Sequence, residues 1–156
     1  MNKALLVFLL IMFSACDQRH NPKIFFEQGE YEKSFNLWLP LAIKGNMEAE
    51  NYIAIHYYLG LGRDRDFKIA KEWFEKAARS NYPDAQYNLG VMYENGESIK
   101  RDYLNAYKWF YLANENGNIN AAKRMQAMGE EHKLFPNQIN HAIELSRVAV
   151  NKKSDK

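Results

Sequence analysis

"RDFKIAKEWFEKAARSNYPDAQYNLGVMYENG" (residues 65–96) and "RDYLNAYKWFYLANENGNINAAKRMQAMG" (101–129) are two versions of one text. Arg65-Asp66-Phe67 falls on Arg101-Asp102-Tyr103, Ala70 on Ala106, Trp73-Phe74 on Trp109-Phe110, Ala77 on Ala113 and Ala85 on Ala121, always 36 residues apart. Stepping back by the same interval finds a more divergent copy in Tyr31, Ser34, Leu37-Trp38, Gly45, Ala49, Ala54, Tyr57 and Gly60. Matches this numerous at a single spacing establish an internal repeat, and a repeat decides the architecture before any other feature does.

Each unit reads as two helices. In the middle unit Phe67, Ala70, Trp73, Phe74, Ala77 and Ala78 share one face at helical spacing, and Asp66 is placed to cap the start. Ser80-Asn81-Tyr82-Pro83-Asp84 interrupts with turn formers. A second helix is expected from about Asp84 to Asn95, with Ala85, Leu89, Met92 and Tyr93 inward and Gly96 ending it. Gly90 inside that helix costs about 1 kcal/mol relative to Ala, which implies a close helix approach, with Trp73 expected to fill the space beside it. The corresponding positions hold Ala54 before it and Gln126 after it, so the last pair is expected to pack less tightly. Trp109 is expected in the core, where truncation to Ala would cost roughly 3–5 kcal/mol.

A helical hairpin of this length cannot bury its apolar face alone, so neighbours must stack. The expected fold is all-α: a right-handed α-solenoid of about three 36-residue helix-turn-helix repeats plus a C-terminal capping helix. The pattern resembles the Sel-one-like repeat family, relatives of tetratricopeptide repeats. "DAQYNLG" (84–90) is close to the family's wording, and "WLPLAIKGN" (38–46), with Pro40 inside a helix, resembles its first-repeat variant. The resemblance covers residues 24–150. "LFPNQINHAIELSRVAV" (134–150), with Pro136 suited to a first turn and Ile139, Ile143, Ser146 and Val150 along one face, resembles the family's terminal cap. "IFFEQ" (24–28) starts or precedes the first unit, and 151–156 is a polar tail.

The beginning of the chain carries a different message. Lys3, the apolar run Ala4 to Phe13, and Ser14-Ala15 describe a secretory signal peptide over 1–15; ten apolar residues fall short of the roughly 20 needed to span a bilayer. A buried amphipathic helix would interleave polar residues, and this run has none. Ser14-Ala15-Cys16 resembles the lipobox of bacterial lipoproteins, with Phe13 where Leu is usual. That resemblance implies that Cys16 receives a diacylglycerol and acyl chains such as palmitate; a free or intermolecular thiol is the alternative. Asp17, supported by Gln18, resembles the signal that retains a lipoprotein on the periplasmic face of the inner membrane; other sorting rules would allow the outer membrane. Residues 16–23 then form the lipidated cysteine and an extended polar linker, whose seven residues after Cys16 reach at most about 25 Å.

Removing residues 1–15 takes away Lys3 and lowers the formal net charge from +2 to +1. A chain so near neutrality offers no electrostatic case for nucleic acid. The four histidines, His20, His56, His132 and His141, show no metal-binding spacing. His56 aligns with Met92, which marks it as a core or edge residue. No metal, no cofactor and no catalytic motif is expected. Family members linked to β-lactam chemistry carry a cysteine pair in each repeat, and no repeat here contains a cysteine.

What remains is binding. Just beside the core face of each first helix, Phe35 and Leu39 in the first unit become Lys71 and Glu75 in the second and Tyr107 and Tyr111 in the third. In such solenoids the first helices line the concave side, and tyrosines four apart would make good contact residues; service in local packing is the competing role for these positions. The expected function is a non-enzymatic, lipid-tethered, protein-binding module, an envelope adaptor or scaffold. An immunity protein that neutralises a periplasmic toxic effector is the alternative, and a hydrolase the minor one.

Overall fold

The computed structural model describes residues 21–131 and 134–151, with side chains described as far as Ser146. Cys16, Asp17, Gln18, the leader, His20 and His132 lie outside the described residues. These contain eight helices in the order α1 (Pro22–Glu27), α2 (Tyr31–Ile43), α3 (Met47–Leu59), α4 (Phe67–Arg79), α5 (Pro83–Asn95), α6 (Tyr103–Glu115), α7 (Ala121–Glu131) and α8 (Pro136–Asn151), with no strand among them. Helices α2/α3, α4/α5 and α6/α7 are the three hairpins read from the repeat.

Local chemistry sets their ends. Asp66 Oδ1 accepts from the amides of Lys68 (2.9 Å) and Ile69 (3.0 Å). Asp102 repeats this with Leu104 and Asn105, both at 3.0 Å, and Asn46 caps α3 through the Ala49 amide at 2.9 Å. Each cap satisfies amides that the first turn leaves without partners. The second helices α3 and α5 stop at Gly60 (φ 71°) and Gly96 (φ 76°) in the left-handed region. The turns inside the hairpins place Gly45, Asn81 and Gly117 at positive φ, again 36 residues apart. Asn81 holds the glycine position because Asn tolerates this conformation better than most residues. Pro40 sits inside α2 on the exposed side, where solvent meets the carbonyl its missing N–H leaves.

The core repeats in register. Ser34, Ala70, Ala106 and Ala142 are all fully buried, as are Phe74, Phe110 and Ser146, with Trp38 in the matching place at 5% exposure. The terminal helix α8 is thus a fourth first-helix, offset by the same 36 residues. It departs in one respect. Whereas α3 packs on α4 and α5 on α6, α8 lies along α6 rather than across α7. Ser146 stands where Phe74 and Phe110 stand, and Gln126, at the Gly90 position, is exposed. No aromatic ring from α8 closes over α7 at the Gln126 position.

Two expectations about the core change. Gly90 makes room for Phe110 of the next unit, not for Trp73: a Cβ there would lie 2.6 Å from the Phe110 ring. Trp73 and Trp109 are half-buried, not central. Trp73 packs on both the first-unit and second-unit clusters, and Trp109 packs on the second-unit cluster. Each of these tryptophans therefore seals a joint to the preceding unit. At the start, Pro22 and Lys23, the last residues of the expected linker, already belong to α1.

Candidate protein-interaction surface

The six sequence-selected positions divide by depth. Phe35 is 2% exposed. Its ring lies 3.7 Å beneath the Arg63 guanidinium and meets His56 and Tyr57 edge-on, at 5.5 and 5.7 Å between centroids. It is core, and the expected apolar patch loses its first member. Leu39 is half-buried against the same first-unit cluster. Lys71 and Glu75 pair at 2.6 Å, with about a fifth to a quarter of each side chain exposed, and Arg79 approaches the same carboxylate at 3.6 Å. Tyr107, on the helix along which α8 lies, is only 8% exposed. Burial raises its phenol pKa, with Tyr111 adding to the effect. Tyr111 alone of the expected pair is partly exposed. The accessible row is therefore Leu39, the Lys71–Glu75 pair and Tyr111, one step on each of α2, α4 and α6.

The sequence reading passed over a second set of features, on the other flank of the first helices. Lys76 Nζ stands 3.8 Å from the Trp73 ring, and Lys108 Nζ 5.2 Å from Trp109. Burial lowers the Lys108 pKa, opposed by Asp102. A partly exposed Trp beside a cation is a good contact group, and the signal for it was the Trp-Phe pair itself, of which only Phe goes to the centre. Polar bonds join successive units: Asn88 to Asn51 (3.2 Å), Asn116 to Gln86 (2.9 Å), Asn118 to Asp84 (2.8 Å) and Arg124 Nε to Glu94 (2.8 Å). Tyr58 donates its hydroxyl to Glu97 at 2.7 Å; burial first, and that carboxylate second, push the phenol up to about 12.

The serine–histidine contact found among the described residues is structural in form. His56 Nδ1 donates to the Leu61 carbonyl at 2.8 Å, Ser34 Oγ donates to the Pro22 carbonyl at 2.9 Å, and His56 Nε2 lies 3.4 Å from Ser34 Oγ. Both side chains are fully buried. The pair clamps α1 onto α2 and α3, and its hydroxyl is committed to a backbone acceptor. Burial lowers the His56 pKa, against the hydrogen bond to Leu61, and Arg63 lowers it further. No group of three or more His, Cys, Asp or Glu side chains able to hold a metal occurs among the described residues, and no helix among them is long and apolar enough to cross a membrane.

The Sel1 repeat family model matches residues 48–82 and 83–118. The chain carries Sel1 repeats. The matched blocks begin at the second helix of a hairpin and end in the next hairpin's turn, so each Sel1 block encloses one of the joints α3–α4 and α5–α6. A curated relative, the ERAD-associated E3 ubiquitin-protein ligase component HRD3A of Arabidopsis thaliana, is 39% identical over 99 residues, 64% of this chain and 14% of the relative. A solved Sel1 repeat protein from Oxalobacter formigenes superposes with a TM-score of 0.66 at 30% identity, covering 71% of this chain and 46% of that one. A protective antigen present in uropathogenic Escherichia coli strains, with the same repeat fold, gives a TM-score of 0.76 at 29% identity, covering 84% and 28%. The chain thus spans only a small part of the curated relative. Sel1 repeats are protein-interaction modules, and the solenoid here is built from them.

Proposed function

We propose that the chain is a protein-binding module held by lipid on Cys16 at the periplasmic face of the inner membrane, where it serves as an envelope adaptor. The observation that carries the binding part is the contrast between core and flank. Positions 34, 70, 106 and 142 stay small and sealed, while the partly exposed flank changes from Leu39 to Lys71–Glu75 to Tyr111. A surface that changes from unit to unit over a core kept in register is what selective recognition of an extended partner requires. The tether rests on Ser14-Ala15-Cys16, and retention at the inner membrane on Asp17 and Gln18. A relative named as a component of a ligase supports a part in an assembly of proteins.

The immunity reading keeps one argument of its own. The segment from Cys16 to Pro22 is so short that the binding row stays close to the membrane, where an effector that attacks lipid would have to act.

Affinity capture of the tagged, membrane-extracted protein tests both. Tyr111→Ala combined with Glu75→Gln is expected to abolish recovery of a stoichiometric partner while the protein stays folded, the lost helix ion pairs costing only about 0.5 kcal/mol each. Full recovery with this folded variant would overturn the assignment of the row. The partner's nature separates the roles: a resident envelope protein marks an adaptor, and a secreted toxin marks an immunity protein.

A further inference from the structure

Among the described residues seven large apolar side chains are exposed, and their placement is uneven. Leu41, Ile43, Met47 and Ile119 all belong to one end of the solenoid, where α2 turns into α3 and α6 into α7. Ile43 is 71% exposed and Ile119 89%, whereas every other described isoleucine is buried or half-buried. Single exposed apolar residues are ordinary. Several at one end, on turns where polar residues normally stand, ask for a covering surface. The opposite end exposes two, Leu59 and Phe135, beside four consecutive charged residues from Arg63 to Asp66.

The direction of the chain indicates which surface that is. Helix α1 runs antiparallel to α2: Ser34 Oγ donates to the Pro22 carbonyl at 2.9 Å, and Phe26 meets Tyr31 at 5.5 Å between centroids. The N-terminal end of α1, capped by Asn21, therefore faces along α2 toward its Ile43 end. From the level of Ser34 to that of Ile43 is nine residues of helix, about 13.5 Å. The six residues from Cys16 to Pro22 reach about 20 Å when extended. A lipid on Cys16 is thus close enough to bring that end down onto a bilayer.

We propose that this end of the solenoid lies on the lipid surface, with Ile43, Met47 and Ile119 entering the boundary between headgroups and acyl chains. The inference rests on the lipid tether proposed above. Lys44, Arg79 and Lys123 are exposed at the same end and reach phosphate headgroups, but Glu48, Asp84 and Glu115 accompany them, so contact is apolar in origin and weakly dependent on salt. The row Leu39, Lys71–Glu75 and Tyr111 then stands on helices directed away from the membrane and remains open to a protein.

The test uses the full-length protein purified with whatever lipid it carries and reconstituted into vesicles of phosphatidylethanolamine and phosphatidylglycerol. An environment-sensitive fluorophore is placed by Ile43→Cys or Ile119→Cys, and by Leu59→Cys or Phe135→Cys at the opposite end. Probes at 43 and 119 are expected to shift to the blue and lose iodide quenching, while those at 59 and 135 stay quenchable. Equal quenching at both ends, or shielding of 59 and 135 instead, overturns the orientation. The mass of the N-terminal peptide reports the tether separately. A lipidated protein with all probes quenchable defeats the orientation alone, and an unlipidated one with all probes quenchable defeats both readings. Shielding of 43 and 119 without lipid on Cys16 supports the apolar end by itself.

Discussion

The first and second units fill one backbone with two chemistries. Where the second unit buries Met92, the first buries His56, and both are fully sealed. Ala70 has Ser34 as its counterpart, Phe74 has Trp38, Gly90 has Ala54, and Gln86 has Glu50, each pair separated by the repeat. The second unit buries a carboxylate too, Glu94, but bonds it to Arg124 of the next unit, while the first holds an imidazole and a carboxylate, each disfavoured in its charged form chiefly by burial. The first unit must also receive α1, and Ser34 and His56 supply the polar clamp that does so. The comparison teaches that backbone register and the chemistry inside it are separable: the repeat dictates where a side chain goes, and the neighbour it must hold dictates what that side chain is.

The largest effect expected on this comparison comes from its apolar half. Phe110→Ala removes a fully buried ring that closes over Gly90 across the unit joint, and should lower unfolding stability by roughly 3–5 kcal/mol, read by urea denaturation. Trp109→Ala, at a half-buried site, should cost clearly less, and so fall below the figure expected of a core tryptophan.

Next comes Gly90 itself. Gly90→Ala gains helix propensity but drives a methyl into the Phe110 ring, and overpacking of this kind costs about 1–3 kcal/mol. The same change in a Phe110→Leu background should be nearly neutral or stabilising. Additive behaviour of the two substitutions in denaturation would show that the joint is not where the glycine acts.

Acid should then find the polar half first. The folded protein holds His56 below its unfolded value of about 6.5, so the unfolded chain binds more protons in the window beneath that value. The contribution is fully present above about pH 6.5 and is lost as pH falls through the window toward the folded pKa. His56→Met, which copies the second unit, should flatten the stability profile between pH 7 and 5, followed by thermal melts. Glu50 runs the other way: its raised pKa means a contribution present at acid pH that declines as pH rises past about 4.5. Glu50→Gln, again a copy of the second unit, should therefore raise stability at neutral pH and not at acid pH.

The smallest expected change is at the helix starts. Asp102→Ala should cost about 1 kcal/mol through loss of the cap. Burial alone would raise this carboxyl's pKa, but the backbone and side-chain hydrogen bonds from Asn105 and the amide of Leu104 outweigh it and hold the pKa below the usual range. Stability contributed here is present at neutral pH and lost as pH falls through the depressed folded pKa, so the variant and the parent should converge in strong acid.

Much of this was legible in the sequence. The spacing of 36 located the hairpins, Asp66 and Gly96 marked ends that the structure confirms, and the alignment of His56 with Met92 left it as core or edge, which the structure resolves to core. What was illegible depended on neighbours across a joint. Trp73 and Phe74 are adjacent letters on the same apolar face, and only the seating of the preceding unit decides that Phe goes to the centre and Trp to the edge. Tyr107 and Tyr111 look equivalent at four-residue spacing, but the helix lying along α6 leaves one of them 8% exposed and the other half-open. Leu39, Glu75 and Tyr111 could be named from the repeat, but their separation from Phe35 and Tyr107 required depth, which a periodic pattern does not contain.

The left-handed turn residues Gly45, Asn81 and Gly117 carry a consequence for how such a molecule changes length. The joints that depend on exact fit, such as Gly90 against Phe110, run from a second helix to the next first helix, whereas these turns interrupt the chain between joints and share one backbone geometry. A block copied from turn to turn would enter with its joint already matched, while a block cut at the loops around residues 60–66 or 96–102 would create a new and untested one. The seams for recombination therefore lie within the hairpins, not between them, and a lineage could lengthen its binding row by whole blocks without redesigning an interior.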